Sequence, residues 1–126
     1  MSRPEILVVG LGPAGPELLT VATAAAIAEV PVRFVRTARH PAVSAVEGAV
    51  SFDHHYERGE TIDGVYDAIV EDLVAAARRD GRVLYAVPGS PAVAERTVEL
   101  LRADDRVSVE VLPALSCADL AWVRVG

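Results

Sequence analysis

Aromatic side chains and cysteines are scarce in this sequence. Only 5% of the 126 residues are aromatic, and Cys117 is the single cysteine. One cysteine excludes an internal disulfide framework and is typical of a reducing compartment. Long hydrophobic runs are also absent, since no apolar segment approaches the roughly 20 residues that span a bilayer. The amino terminus, MSRPE, leads directly into the first predicted strand and leaves no room for a signal peptide. We therefore expect a soluble, cytoplasmic protein with no membrane partner.

Positive charge is outnumbered by negative charge. The chain has 12 lysines plus arginines against 18 acidic residues, which gives a formal net charge of −6 at pH 7. Binding to a nucleic-acid backbone needs basic side chains that neutralise phosphates, and the sequence contains no basic stripe. The composition therefore disfavours a nucleic-acid partner.

Hydrophobic residues are abundant, at 52% of the chain, and many of them are alanine and valine. Together with the alternation of strand-like and helix-like segments, this composition predicts one α/β domain over residues 1–126, with a mostly parallel sheet and helices on both faces. The predicted strands are Glu5–Val9, Val32–Arg36, Arg82–Val87 and Arg106–Leu112. The predicted helices are Pro16–Glu29, a short Pro41–Glu47, Ile62–Arg79, Ala92–Arg102 and Cys117–Trp122, with an irregular polar segment at Ser51–Glu60.

A glycine-rich loop follows the first strand and leads into the first predicted helix. It contains Gly10, Gly12, Pro13 and Gly15. Such a turn exposes backbone N–H groups beside a helix amino terminus, where a nucleotide-like ligand can bind. Two further loops, Pro88–Pro91 and Pro113–Ser116, follow later strands. Because ligands bind at the carboxyl ends of parallel strands, we expect these three loops to form one site.

The segment from Gly10 to Gly15 also satisfies the pattern G-x-G-x-x-G of dinucleotide-binding domains. That pattern is normally followed, about 20 residues later, by an acidic residue that binds the ribose. Here the second strand ends in Arg36 and Thr37, an arrangement compatible with NADP, while Pro13 removes one N–H from the loop. An NADP-binding Rossmann domain is therefore the less favoured alternative.

The run GLGPAGPELLT resembles the opening motif of the class III S-adenosylmethionine-dependent methyltransferases, the tetrapyrrole (uroporphyrinogen and corrin) methylase family. YAVPGSP (residues 85–91) is similar to the second cofactor loop of that family, and LPALS (residues 112–116) to its third. VRTARHP (residues 35–41) and SFDHHYE (residues 51–57) look closer to the methylase-like domain fused to MazG-type nucleoside triphosphate pyrophosphohydrolases.

The resemblance implies a two-domain methyltransferase of which this chain is the amino-terminal half, with the carboxy-terminal domain missing. It implies S-adenosylmethionine as the cofactor, a small-molecule methyl acceptor of tetrapyrrole type or none, and a homodimer. It assigns no catalytic residue. The implied cofactor-binding residues are Gly10, Gly12 and Pro13 in the first loop, Pro88, Gly89, Ser90 and Val93 in the second, and Ser116 and Cys117 in the third.

Three positions depart from the family pattern. Gly15 and Ser90 stand where the family has aspartates, and Ala114 replaces a turn glycine. Methyl transfer depends on alignment of the reacting groups, so we expect the isolated domain to be inactive as a methylase. A non-catalytic ligand-sensing or oligomerising module of a nucleoside triphosphate pyrophosphohydrolase is the alternative function.

Three remaining features each have an ordinary structural interpretation. The histidines of DHHYE (residues 53–57) are expected to point apart and lack a Cys or His partner elsewhere, so we predict no metal site. A nucleophilic Cys117 would need a histidine, and none lies near it in sequence. The simpler interpretation is that Cys117 is a small, buried apolar residue. Trp122 fits either the core or a surface for the missing domain.

Overall fold

The computed structural model describes residues 3–58 and 61–125. Twelve elements follow one another along this part of the chain. They are β1 (Glu5–Gly10), a 3-10 turn (Pro16–Leu18), α1 (Val21–Glu29), β2 (Arg33–Val35), a second 3-10 turn (Pro41–Ala45), β3 (Val50–Ser51), α2 (Asp53–Glu57), α3 (Ile62–Asp80), β4 (Arg82–Val87), α4 (Arg96–Arg102), β5 (Ser108–Val111) and α5 (Cys117–Val125).

The strands form one sheet in the order β3-β2-β4-β1-β5, and every pair in it is parallel. β1 lies between β4 and β5, with Leu7 opposite Leu84 on one side and Glu110 on the other. β1 and β4 are buried from their second residue onward, as expected for central strands covered on both faces. The predicted α/β fold with a parallel sheet is confirmed.

Each face of the sheet has its own hydrophobic core. On one face, α3 and α4 pack over alternate strand residues such as Ile6, Val8 and Tyr85. On the other face, α1 and the second 3-10 turn cover the intervening residues, such as Leu7 and Val9. The alternation follows from strand geometry, because successive side chains point to opposite faces. α3 ends as predicted at Gly81, whose φ of 86° suits glycine.

The first predicted helix, Pro16–Glu29, is wrong in its first turn. Pro16 does begin a helical segment, but only a 3-10 turn, and Leu19 returns to an extended conformation. The α-helix starts at Val21, because Thr20 caps it: the Thr20 side chain accepts a hydrogen bond from the Thr23 N–H at 3.0 Å. Threonine caps helices well, so it competes with continuation of the turn that Pro16 starts.

The segment Ser51–Glu60, predicted to be irregular, contains regular structure. Ser51 belongs to the two-residue strand β3, and α2 follows at once. Phe52, between them, is 1% exposed and stacks on Phe34 with ring centroids 5.3 Å apart. This buried pair fixes a short helix that a polar sequence does not predict. Residues 59 and 60 of the segment lie outside the described residues.

The remaining boundaries shift by a few residues. α4 begins at Arg96 rather than Ala92, because Ala94 has a φ of 53°, which no helix interior accommodates. α5 runs to Val125 rather than stopping at Trp122. The predicted strands Val32–Arg36 and Arg106–Leu112 are each shorter, at Arg33–Val35 and Ser108–Val111.

Candidate functional site

The loops that follow β1 and β4 are joined by a pair of backbone hydrogen bonds. The Gly12 N–H donates to the Gly89 carbonyl, and the Gly89 N–H donates to the Gly12 carbonyl, both at 3.0 Å. Gly12 and Gly89 have φ values of 74° and 64°, a region that favours glycine. Two of the predicted site residues thus form the link between two of the predicted loops.

Gly10 allows the three loops to approach one another. A Cβ atom at this position would lie 2.4 Å from the Gly89 carbonyl oxygen, 2.6 Å from the Ala114 Cβ and 2.7 Å from the Pro91 Cδ. These neighbours belong to the second and third loops. The three loops therefore converge at the carboxyl ends of the strands, as expected. They can do so because glycine has no side chain at position 10.

The loops after β4 and β5, together with the end of β2, enclose a cleft of about 300 Å³. Six of the nine predicted cofactor-binding residues line it, whereas Gly10, Gly12 and Pro13 do not. Pro13 instead lines a neighbouring apolar hollow with Leu18, Leu115 and Trp122. The lining residues of the cleft are Arg36, Pro88, Gly89, Ser90, Val93, Ala94, Glu95, Ser116, Cys117 and Ala118.

The hydroxyl groups in the cleft are occupied by local hydrogen bonds. The Ser90 side chain, 8% exposed, accepts from the Ala92 N–H at 3.3 Å. The Ser116 N–H and hydroxyl both donate to the same Asp119 carboxylate oxygen, at 2.7 and 3.2 Å. Cys117 is exposed, so the expectation of a buried thiol is wrong. No described histidine lines the cleft beside that thiol.

An ion pair that the sequence does not predict lies at the inner side of the cleft. The Arg36 Nε and the Glu95 Oε1 are 3.0 Å apart, with the Glu95 side chain 9% exposed. Arg36 also donates to the Tyr56 hydroxyl at 3.4 Å. The Thr97 hydroxyl, which is 2.9 Å from the Tyr85 hydroxyl, lies 3.4 Å from the other oxygen of Glu95. These five side chains, from four parts of the chain, thus form one network of contacts around the charge pair.

Burial sets the electrostatics of this pair. Burial raises the pKa of Glu95, and the Arg36 charge and the Thr97 hydroxyl only partly oppose that rise. For Arg36 burial lowers the pKa, but the Tyr56 hydrogen bond and the Glu95 charge outweigh burial and leave the pKa raised. Burial also raises the pKa of Tyr85, which stays neutral. The inner side of the cleft therefore presents a guanidinium group whose charge is already matched by a carboxylate.

In the sequence, Arg36 stands out only because it occupies the position where the dinucleotide-binding pattern has a ribose-binding acidic residue. Its partner Glu95 lies 59 positions later, in what was predicted to be a helix. The left-handed conformation of Ala94 turns the chain just before Glu95. An alanine gives no sequence signal for that conformation, so local pattern could not have found the pair.

The two histidines of DHHYE lie near each other, contrary to the expectation that they point apart. Their ring centroids are 4.2 Å apart, and the His55 Nε2 is 2.6 Å from an Asp72 carboxylate oxygen. Asp72 comes from α3, 17 residues later. The argument against a metal site considered only cysteines and histidines as further ligands, and it therefore missed this carboxylate.

An open parallel sheet with converging glycine- and proline-rich loops defines a small-molecule-binding α/β domain. Residues 5–126 match the model of the tetrapyrrole (corrin/porphyrin) methylases, and the chain belongs to that family. The family uses S-adenosylmethionine as its methyl donor. The chain is also 37% identical over 125 residues to YabN of Bacillus subtilis (strain 168), covering 94% of this chain and 25% of that protein.

Solved structures of methyltransferases share the fold. Uroporphyrin-III C-methyltransferase from Thermus thermophilus superimposes with a TM-score of 0.70 and 26% identity, over 90% of this chain and 49% of that one. The same enzyme complexed with S-adenosyl homocysteine superimposes with a TM-score of 0.65 at 24% identity, over 89% of this chain and 48% of that one. The methyltransferase CobJ shares the fold, with a TM-score of 0.56 at 23% identity over 96% and 50% of the two chains. This chain thus spans about half the length of these solved structures and a quarter of YabN.

Among the residues that the structure describes, no helix combines the length and the apolar character needed to cross a membrane.

Proposed function

We propose that this domain binds S-adenosylmethionine in the cleft between the second and third loops, as part of a tetrapyrrole methylase-like protein. One observation carries the proposal: six residues that the family motifs assign to the cofactor line a single cleft, although they come from two segments more than 20 residues apart. A neighbour with the same fold is known in complex with S-adenosyl homocysteine. The cleft volume, about 300 Å³, lies at the lower end of the range for small-molecule sites.

We further propose that a second domain completes the site and that the isolated domain is inactive. The apolar hollow beside the cleft is lined by Leu115 and Trp122, which are 40% and 74% exposed. A cofactor bound against one domain alone lacks the contacts that the second would supply. Losing about 3 kcal/mol of contacts weakens binding roughly a hundredfold. Methyl-acceptor binding and self-association as a homodimer belong to the same proposal.

A second candidate is a non-catalytic, ligand-sensing module of a MazG-type nucleoside triphosphate pyrophosphohydrolase. It is favoured by the departures from the methylase pattern, since Gly15 and Ser90 replace aspartates and the Ser90 hydroxyl is used within its own loop. The two candidates differ in whether a methyl group is transferred. A methylation assay on the full-length protein with a porphyrinogen acceptor distinguishes them.

Calorimetry with S-adenosylmethionine, S-adenosyl homocysteine and NADP tests the binding site. Val93 lines the cleft and is 58% exposed, so Val93→Arg should fill the cleft without disturbing the core. Val21→Arg is the matched control, since Val21 is 88% exposed at the start of α1 and lines none of the hollows described above. We expect Val93→Arg to weaken binding of the adenosyl ligands at least tenfold and Val21→Arg to leave it unchanged. Equal affinities in the two variants, or a preference for NADP, would overturn the proposal.

A further inference from the structure

Two imidazoles and a carboxylate meet where α2 packs on α3, outside the candidate cofactor cleft. His54, His55 and Asp72 each offer one ligand atom, and these three atoms lie within 4.8 Å of one another. His55 is 8% exposed, whereas the Asp72 side chain is 48% exposed. The cluster therefore has one fixed ligand in the interior and two more at the surface, where an ion can enter.

The distance between His55 and Asp72 is close to the one that a tetrahedral ion requires. Zinc binds imidazole nitrogen at about 2.0–2.1 Å and carboxylate oxygen at about 2.0–2.2 Å, so two ligand atoms at a tetrahedral angle are about 3.3 Å apart. The His55 Nε2 and the Asp72 Oδ2 are 2.6 Å apart as a hydrogen-bonded pair. An ion that replaces the shared proton needs these atoms to separate by less than about 1 Å. The half-exposed Asp72 side chain has the room to move that far.

The fold holds the histidine-bearing helix firmly in place. Phe52, immediately before α2, is buried and packs against the His55 ring with centroids 5.9 Å apart. Asp53, the first residue of α2, accepts hydrogen bonds from the Ala38 N–H at 2.9 Å and the Ser51 hydroxyl at 2.8 Å. A helix of five residues with such anchors presents its histidines in a set orientation, and this lowers the entropy lost when an ion binds.

We propose that His54, His55 and Asp72 form a binding site for a divalent transition-metal ion of the zinc type. Two imidazoles and one carboxylate suit zinc and its neighbours rather than magnesium or calcium, which prefer oxygen ligands. A fourth position faces solvent and is available to water. A bound ion ties α2 to α3, and α2 also carries Tyr56, whose hydroxyl accepts from Arg36 at the cleft.

The test is calorimetry with Zn²⁺ alone, and with Co²⁺ followed by visible absorption, on tag-free, metal-stripped protein. All proteins carry Cys117→Ser, because an exposed thiol can bind zinc by itself and would obscure the measurement. The test variants are His54→Ala, on the exposed position of α2, and Asp72→Asn, which keeps an oxygen that can accept from His55. Asp67→Asn, an exposed aspartate on α3, is the matched control.

We expect one ion per chain, a higher melting temperature with Zn²⁺, and at least a roughly tenfold loss of affinity in each test variant. Each variant removes a proposed ligand, and loss of a group that only orients a ligand already costs about 10–100-fold. Asp67→Asn should bind as the parent does, and each folded variant should keep the parent circular dichroism spectrum. Absence of saturable Zn²⁺ binding would overturn the proposal and leave the His55–Asp72 contact as a hydrogen bond only. Binding that His54→Ala and Asp72→Asn do not weaken would overturn it equally.

Discussion

The three loops approach one another closely at Gly10. We expect Gly10→Ala to push them apart, because the added methyl group has no space. The added Cβ would lie 2.4 Å from the Gly89 carbonyl oxygen, and the two other neighbours are 2.6 and 2.7 Å away. These neighbours are a backbone carbonyl, the Cβ atom of Ala114 and the ring of buried Pro91, none of which can rotate away. Accommodating the methyl group therefore requires the loops themselves to move by most of an ångström.

The cost has two parts. Overpacking of a filled interior costs about 1–3 kcal/mol. Movement of Gly89 also strains its two hydrogen bonds to Gly12, each of which contributes about 1 kcal/mol. These costs are partly offset, because alanine lowers the conformational entropy of the unfolded chain and so stabilises the folded protein by about 0.4–1 kcal/mol. We therefore expect Gly10→Ala to lower the free energy of unfolding by about 3 kcal/mol and to weaken binding of S-adenosyl homocysteine.

Urea denaturation followed by circular dichroism measures the first effect, and calorimetry the second. Gly15→Ala is the matched control, because Gly15 has a φ of −77° and its added Cβ would meet only the flexible Glu17 carboxylate. We expect Gly15→Ala to change the free energy of unfolding by less than about 1 kcal/mol. If Gly10→Ala is as stable as Gly15→Ala, the loops are not in the close contact described, and the reasoning fails.

Two further predictions concern the inner side of the cleft and the exposed face of α5. Arg36→Met should lower the free energy of unfolding by about 2 kcal/mol at pH 7.5, because it leaves a largely buried carboxylate unpaired. Burial already raises the pKa of Glu95, so this loss of stability should shrink as the pH falls through that pKa and the neutral acid forms. Urea titrations at pH 5 and 7.5 measure the change. A loss of stability that does not change with pH, or that persists in the double variant with Glu95→Gln, would contradict the prediction. Trp122→Ser should weaken self-association in sedimentation experiments, because it removes a 74% exposed indole; a parent protein that stays monomeric at high concentration would contradict the homodimer prediction.

The sheet, and the edge at which its loops converge, could be predicted because they depend on local signals. Apolar runs such as RVLYAV mark central strands, and Gly81 marks the end of α3. Parallel pairing then brings the loops after these strands to one edge without further information. The prediction of a cleft there needed only the order of elements and the loop composition.

The parts that sequence reasoning missed depend on contacts between distant residues. Thr20 and Pro16 are both good helix-start residues, and only packing decides which of them begins α1. The Arg36–Glu95 pair requires the left-handed Ala94, a conformation that alanine disfavours by itself. α2 forms because Phe52 stacks on Phe34, and the five-residue sequence of α2 contains no periodicity that would predict this contact.

The first loop lies differently from the second and third loops with respect to the cleft. Pro13 lines the apolar hollow, whereas Ser116 and Cys117 line the cleft. Gly10 and Gly12 act instead through the second loop, one by giving it space and the other by bonding to Gly89. We therefore propose that the glycine-rich loop supports the second loop, and that the contacts to a cofactor come mainly from the loops after β4 and β5.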